Sequence, residues 1–62
     1  MKTFIYNFNG YIYETTTAFD DTYRQLMREA RANGEKVTRQ VIDGDKITNQ
    51  YYHEAGIWLD EE

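Results

Sequence analysis

The sequence predicts a small α+β domain in which one helix packs on a four- or five-stranded sheet. Three observations carry the prediction. Asn9-Gly10 joins two alternating apolar runs, an apolar stripe of helical period follows between Phe19 and Ala30, and two further alternating runs flank Asp43-Gly44-Asp45. A lone helix buries its stripe against one face of a sheet, so the order β-β-α-β-β gives two layers. We expect a mixed sheet. The 62 residues make a single domain, 1–62, with no room for a second.

The first strands are read at Thr3–Phe8 and Tyr11–Thr15. Asn-Gly between alternating runs signals a type I′ turn, which needs positive φ at both central residues. A two-residue turn pairs Phe8 with Tyr11, Tyr6 with Tyr13 and Phe4 with Thr15. Phe4, Tyr6, Phe8, Tyr11 and Tyr13 then share the core face. Ile5, Asn7, Ile12 and Glu14 share the other, which the two isoleucines leave not fully polar. The helix is placed at about residues 18–33. Thr17 is its expected cap, with Asp20 and Asp21 complementing the dipole in the first turn. Phe19, Tyr23, Leu26, Met27 and Ala30 form the buried stripe, and Asn33-Gly34 supplies the left-handed stop.

Strands at Val37–Ile42 and Lys46–Tyr52 form a second hairpin with two possible registers. An Asp43-Gly44 turn sets Ile42 opposite Asp45 and is favoured by turn propensity. A Gly44-Asp45 turn sets Ile42 opposite Ile47 and Val37 opposite Tyr52, and is favoured by packing. Ile57-Trp58-Leu59 is either a fifth short strand or a tail folded onto the sheet.

Composition narrows function. Leu, Ile, Val and Phe total only 12 residues, but six Tyr and one Trp accompany a net charge of −4. Rings can therefore carry the core where aliphatics are scarce. The absence of Cys excludes disulfides, thiol catalysis and cysteine metal sites, and favours a reducing, cytoplasmic setting. The opening apolar run is too short for a signal sequence and no stretch reaches a membrane span, so the chain reads as a complete soluble protein. The acidic balance argues against nucleic-acid or anionic-membrane binding.

The Asn9-Gly10 hairpin, the run Glu14-Thr15-Thr16-Thr17-Ala18 leading to Asp20, and Asn33-Gly34 after the helix give the chain a family likeness. Over roughly residues 3–52 it resembles the small immunoglobulin-binding domains of streptococcal protein G and of protein L, which have the β-grasp fold. Antibody binding in the protein G family uses polar helix residues together with an acid and a Trp on the third strand. Here Lys36-Val37-Thr38-Arg39-Gln40-Val41-Ile42 holds neither, and Trp58 lies in a C-terminal extension. The resemblance implies a fold and transfers no binding residue.

Catalytic chemistry finds little material. His53 is the sole His, and His53-Glu54 lacks the second histidine of His-Glu-x-x-His because Ile57 stands there. Asp43-Gly44-Asp45 is too short for a calcium loop and is accounted for as a turn. With no Ser or Cys, and seven Thr without a traceable His–acid partner, no activated nucleophile is expected. No catalytic residue, cofactor or metal site is expected.

Two surface features remain. Arg24, Arg28 and Arg31 share a helix face at i, i+4 and i+7, where Asp20 is expected to pair with Arg24. Tyr51, Tyr52 and Trp58 crowd the C-terminal segment and are the candidate partner surface; strand alternation sends Tyr51 and Tyr52 to opposite faces, and Trp58 either joins the exposed one or closes the open end of the core. The function expected is a non-enzymatic protein–protein interaction module binding an unidentified protein or a second copy. Its size and composition fit the accessory proteins of bacterial phages or mobile elements. Two alternatives stand beside it: a nucleic-acid-associated protein using the arginine face, and an acidic DNA-mimic inhibitor.

Overall fold

In the computed structural model, which describes residues 2–18 and 20–61, Asn9 (φ 54°) and Gly10 (φ 102°) both take positive φ, as a type I′ turn requires. The Gly10 N–H donates to Asn7 Oδ1 at 2.7 Å. The turn folds β1 (Lys2–Phe8) onto β2 (Tyr11–Thr15) in the expected register, with Phe8 opposite Tyr11 and Tyr6 opposite Tyr13.

Thr17 does not cap the helix. α1 (Asp21–Ala32) starts after Asp20, whose Oδ1 accepts the Tyr23 N–H at 2.6 Å. Its Oδ2 accepts the Tyr13 hydroxyl at 2.8 Å and the Thr15 hydroxyl at 2.9 Å. The cap therefore falls on the carboxylate that β2 holds in place, three residues beyond the sequence expectation. Phe19, expected to open the apolar stripe, lies outside the described residues. The helix closes on Asn33, with Gly34 at φ 68°. Glu35 N–H donates to Ala30 O at 2.8 Å and Gly34 N–H to Arg31 O at 3.2 Å, the two bonds of a Schellman motif.

β3 (Val37–Asp43) and β4 (Lys46–His53) turn through Gly44-Asp45. Gly44, at φ 64°, takes the first central position, where a type II′ turn places glycine. Ile42 faces Ile47, so of the two registers left open the one favoured by packing is adopted. Residues 57–59 belong to a fifth strand, β5 (Ile57–Asp60), with Trp58 opposite Tyr52 and Leu59 opposite Tyr51.

The sheet order is β2-β1-β3-β4-β5, and all four pairings are antiparallel. The expected mixed sheet is not formed, for a topological reason. β1 fills both its edges, with β2 on one side and β3 on the other. α1 thus connects two strands, β2 and β3, that run parallel to each other but are never adjacent. The fold is α+β: one helix and one five-stranded antiparallel sheet.

The core is small. Tyr6, Phe8 and Val37 from the sheet meet Tyr23, Met27 and Ala30 from the helix, with Phe4, Tyr13, Leu26, Tyr52 and Trp58 packed around them. The Tyr6 and Tyr23 ring centroids lie 4.7 Å apart. The whole measures 34 × 26 × 20 Å. Among the described residues no helix is long and apolar enough to cross a membrane.

Candidate functional site

Directly opposed residues in adjacent strands share a face, so the register sorts every strand residue to one side of the sheet. The side toward α1 carries Tyr6, Tyr13, Arg39, Gln50 and Asp60 in one row across the five strands. Arg39 stands at its centre, half-buried. Its guanidinium lies 4.1 Å from the Trp58 ring centroid, 5.4 Å from Phe4 and 6.0 Å from Tyr6. Arg39 Nε donates to Gln50 Oε1 at 2.8 Å, and Gln50 Nε2 donates to Asp60 Oδ1 at 2.8 Å. A cation stacked on rings keeps the long stem packed while the polar head stays satisfied. Burial pushes the Tyr6 hydroxyl above its ordinary pKa of 10.0, and the adjacent Arg39 offsets part of that. Tyr23 is raised as well, again chiefly by burial, with its hydrogen bond to the Trp58 indole opposing. Helix and rings close the part of this side around Tyr6; Tyr11, expected in the core, is 59% exposed beside the hairpin turn, and Lys2, Phe4, Val41 and Thr48 line an open hollow.

The opposite side has no helix on it. Two apolar regions lie there, separated by a polar trough. Ile12, Ile5, Ile42 and Ile47 step diagonally from β2 to β4 as a ridge; Tyr51, Leu59 and Ile57 form a patch on β4 and β5. Ile12, Ile47 and Ile57 are 57%, 59% and 51% exposed. Between them Asn7, Thr38, Gln40 and Asn49 floor a hollow of about 460 Å³, walled by Ile5 and Ile12 and reaching Glu61. The Glu61 N–H donates to Asn49 O at 2.7 Å, so pairing continues one residue past β5. No Lys or Arg belongs to this face; its acids, Glu14 and Glu61, stand at the two outer strands.

Of the C-terminal aromatics named as the candidate partner surface, Tyr51 and Tyr52 fall on opposite sides, as strand alternation requires, and Trp58 joins Tyr52 against the core rather than the exposed side. Tyr52 and Trp58 lie toward the helix, edge to face at 5.2 Å, with Trp58 also 5.9 Å from Tyr6. Tyr51 alone reaches the uncovered side. The three helix arginines are exposed. Together with Tyr23 and Met27 they line a shallow groove of about 500 Å³, and Arg31 sits 5.6 Å from the Tyr52 ring. The expected Asp20–Arg24 pair is not made. The Asp20 carboxylate is fully engaged by Tyr23 N–H, Tyr13 and Thr15, which holds it below the usual aspartate range. Among the described residues Arg24, Arg28 and Arg31 form no ion pair.

His53 is exposed at the end of β4, where its Nδ1 accepts the Ala55 N–H at 3.1 Å and helps shape the turn into β5. Among the described residues no three of His, Asp and Glu gather as a metal site would need. The residues that sequence reasoning did not assemble are the isoleucines of the uncovered side. Ile5 and Ile12 were visible as an apolar blemish on the polar face of the first hairpin. Ile42, Ile47 and Ile57 joined them only once the second hairpin's register and the fifth strand were fixed. Comparison with protein-family models, curated proteins and solved structures finds no match.

Proposed function

We propose that the chain is a non-enzymatic protein–protein interaction module and that the uncovered side of its sheet is the contact surface. The observation carrying this reading is the set of seven apolar residues on that side, three of them isoleucines more than half exposed. An antiparallel sheet with one solvated face ordinarily turns polar residues outward, and exposed apolar patches rimmed by polar residues mark an interaction site. His53, the sole His, serves the turn into β5 through its Nδ1.

The test is affinity capture from cell lysate with wild type, Ile12→Lys and Ile47→Lys. The wild type retains a protein, or its own untagged copy, that both variants lose. If nothing retained by the wild type is lost by the variants, the reading fails.

A second reading draws on the helix arginines. With Asp20 diverted, the cations of Arg24, Arg28 and Arg31 pair with no acid among the described residues, which suits phosphates or an acidic partner. A salt-sensitive mobility shift of DNA that Arg24→Ala/Arg28→Ala abolishes supports it; no shift at low salt dismisses nucleic acid.

A further inference from the structure

Resting on the reading of the uncovered side as a contact surface, we propose that its occupant is a second copy of this chain, packed sheet to sheet about a twofold axis lying along the polar trough.

The argument is one of self-complementarity. A twofold interface places the same patch on both partners, so each feature must meet its symmetry mate across the axis. With the axis along Asn7, Thr38, Gln40 and Asn49, the isoleucine ridge on one flank comes over the aromatic–aliphatic patch on the other. In the proposed pair the Ile42–Ile47 end of the ridge faces the patch on β4 and β5 across the axis, and the contact occurs twice. Trough then meets trough. Its floor is made of amides and a hydroxyl, groups that both donate and accept, so each can pair with its own copy. A surface of acceptors alone, or of one charge sign, would lack this property.

Charge points the same way. This side carries no cation to recognise phosphate or an anionic lipid surface. Its acids stand on β2 and just beyond β5, at the rim, where solvent screens them.

Area is adequate. Five strands about 4.8 Å apart and about seven residues long span roughly 500 Å² in plan. Two copies covering the whole face therefore remove about 1,000 Å² in plan, which reaches the threshold for a specific interface.

The experiment is molar mass by light scattering and sedimentation from micromolar to millimolar chain. Wild type is expected at twice the 7.4 kDa chain mass. Ile47→Lys and Ile57→Glu, both at exposed positions, are each expected to raise the dimer Kd about a hundredfold. Mixing the two variants is expected to restore a dimer, because ridge faces patch across the axis. Trp58 fluorescence, reporting from the far side of the sheet, should be unchanged in both. A dimer indifferent to both substitutions would show that another surface associates and overturns the proposal. A monomeric wild type at millimolar concentration overturns it too. If that monomer still holds a partner protein that Ile47→Lys loses, the contact-surface reading survives; if it holds none, both are lost.

Discussion

The two sides of this sheet spend a similar number of apolar residues in opposite ways. Toward the helix the apolar content is aromatic. Tyr6, Phe8, Tyr23, Tyr52 and Trp58 reach across strands to one another, and Arg39 lies flat on the rings where the helix ends. Away from the helix it is chiefly aliphatic and β-branched. Ile5 and Ile12 wall a trough floored by Asn7, Thr38, Gln40 and Asn49, and Ile12, Ile47 and Ile57 are more than half exposed. Rings build an interior because each buries a large area and still offers an edge, a face or a polar atom to its neighbour. Isoleucine is rigid about χ1 and suits a strand surface, but it completes its burial only when another surface arrives. The difference teaches that strand alternation can run apolar on both sides, one side closed within the chain and the other left for contact.

The largest test of that contrast is Trp58→Ala. It removes the ring between Tyr52, Tyr6 and Arg39, and should cost about 3 to 5 kcal/mol by urea denaturation. In a chain this short that approaches the total stability, so an unfolded variant by circular dichroism is an equally clear result. Ile47→Lys in the monomeric state should cost under about 0.5 kcal/mol. Equal losses from the two would erase the distinction between the sides.

Next is Arg39→Met, which keeps the stem and deletes the cation. It should cost about 1 to 2 kcal/mol and change Trp58 emission, since the charge rests on that ring. An unchanged emission spectrum would mean the stack is not populated.

The pH dependence sharpens the picture of the closed side. Tyr6 and Tyr23 are raised chiefly by burial, and Tyr13 first by its hydrogen bond to the Asp20 carboxylate. The folded chain keeps these protons where the unfolded chain releases them, so stability should fall as pH rises above about 10. Asp20 acts in the opposite direction. Its pKa is lowered first by the Tyr23 N–H and then by Tyr13. Its contribution is present above the ordinary aspartate value of 3.8 and lost as pH falls through the lowered one. Urea midpoints across pH check both limbs, and Tyr13→Phe should flatten part of each. The smallest effect expected is Arg28→Ala, under about 0.5 kcal/mol, because that side chain is exposed and unpaired.

What could be read from the sequence was what local chemistry decides. Asn9-Gly10 specified its turn and register unaided, since few residues tolerate two positive φ values in succession. Tyr23, Met27 and Ala30 announced the buried stripe by their spacing. Thr17 misled because a hydroxyl before Asp20 looks like a cap, whereas the true cap is chosen by Tyr13 and Thr15 reaching over from β2. The antiparallel sheet was illegible for a related reason: nothing near β1 says whether β3 or β4 will take its free edge. The contact side was half legible. Ile5 and Ile12 stood out within one hairpin, but the ridge needs Ile42 and Ile47, and the patch needs β5, so both depend on pairings between strands distant in sequence.

The position of β1 has a consequence for how the chain can be assembled or divided. β1 is clasped on both edges, while the helix runs between the strands that hold it. Taking it away would not trim the sheet. It would open a slot between β2 and β3 about 9.6 Å wide, two strand spacings, bordered by unpaired N–H and C=O groups on both walls. Such a slot has the dimensions to accept one extended peptide. The chain is therefore a natural candidate for division near Asn9-Gly10, with residues 2–8 supplied separately to reseal the remainder.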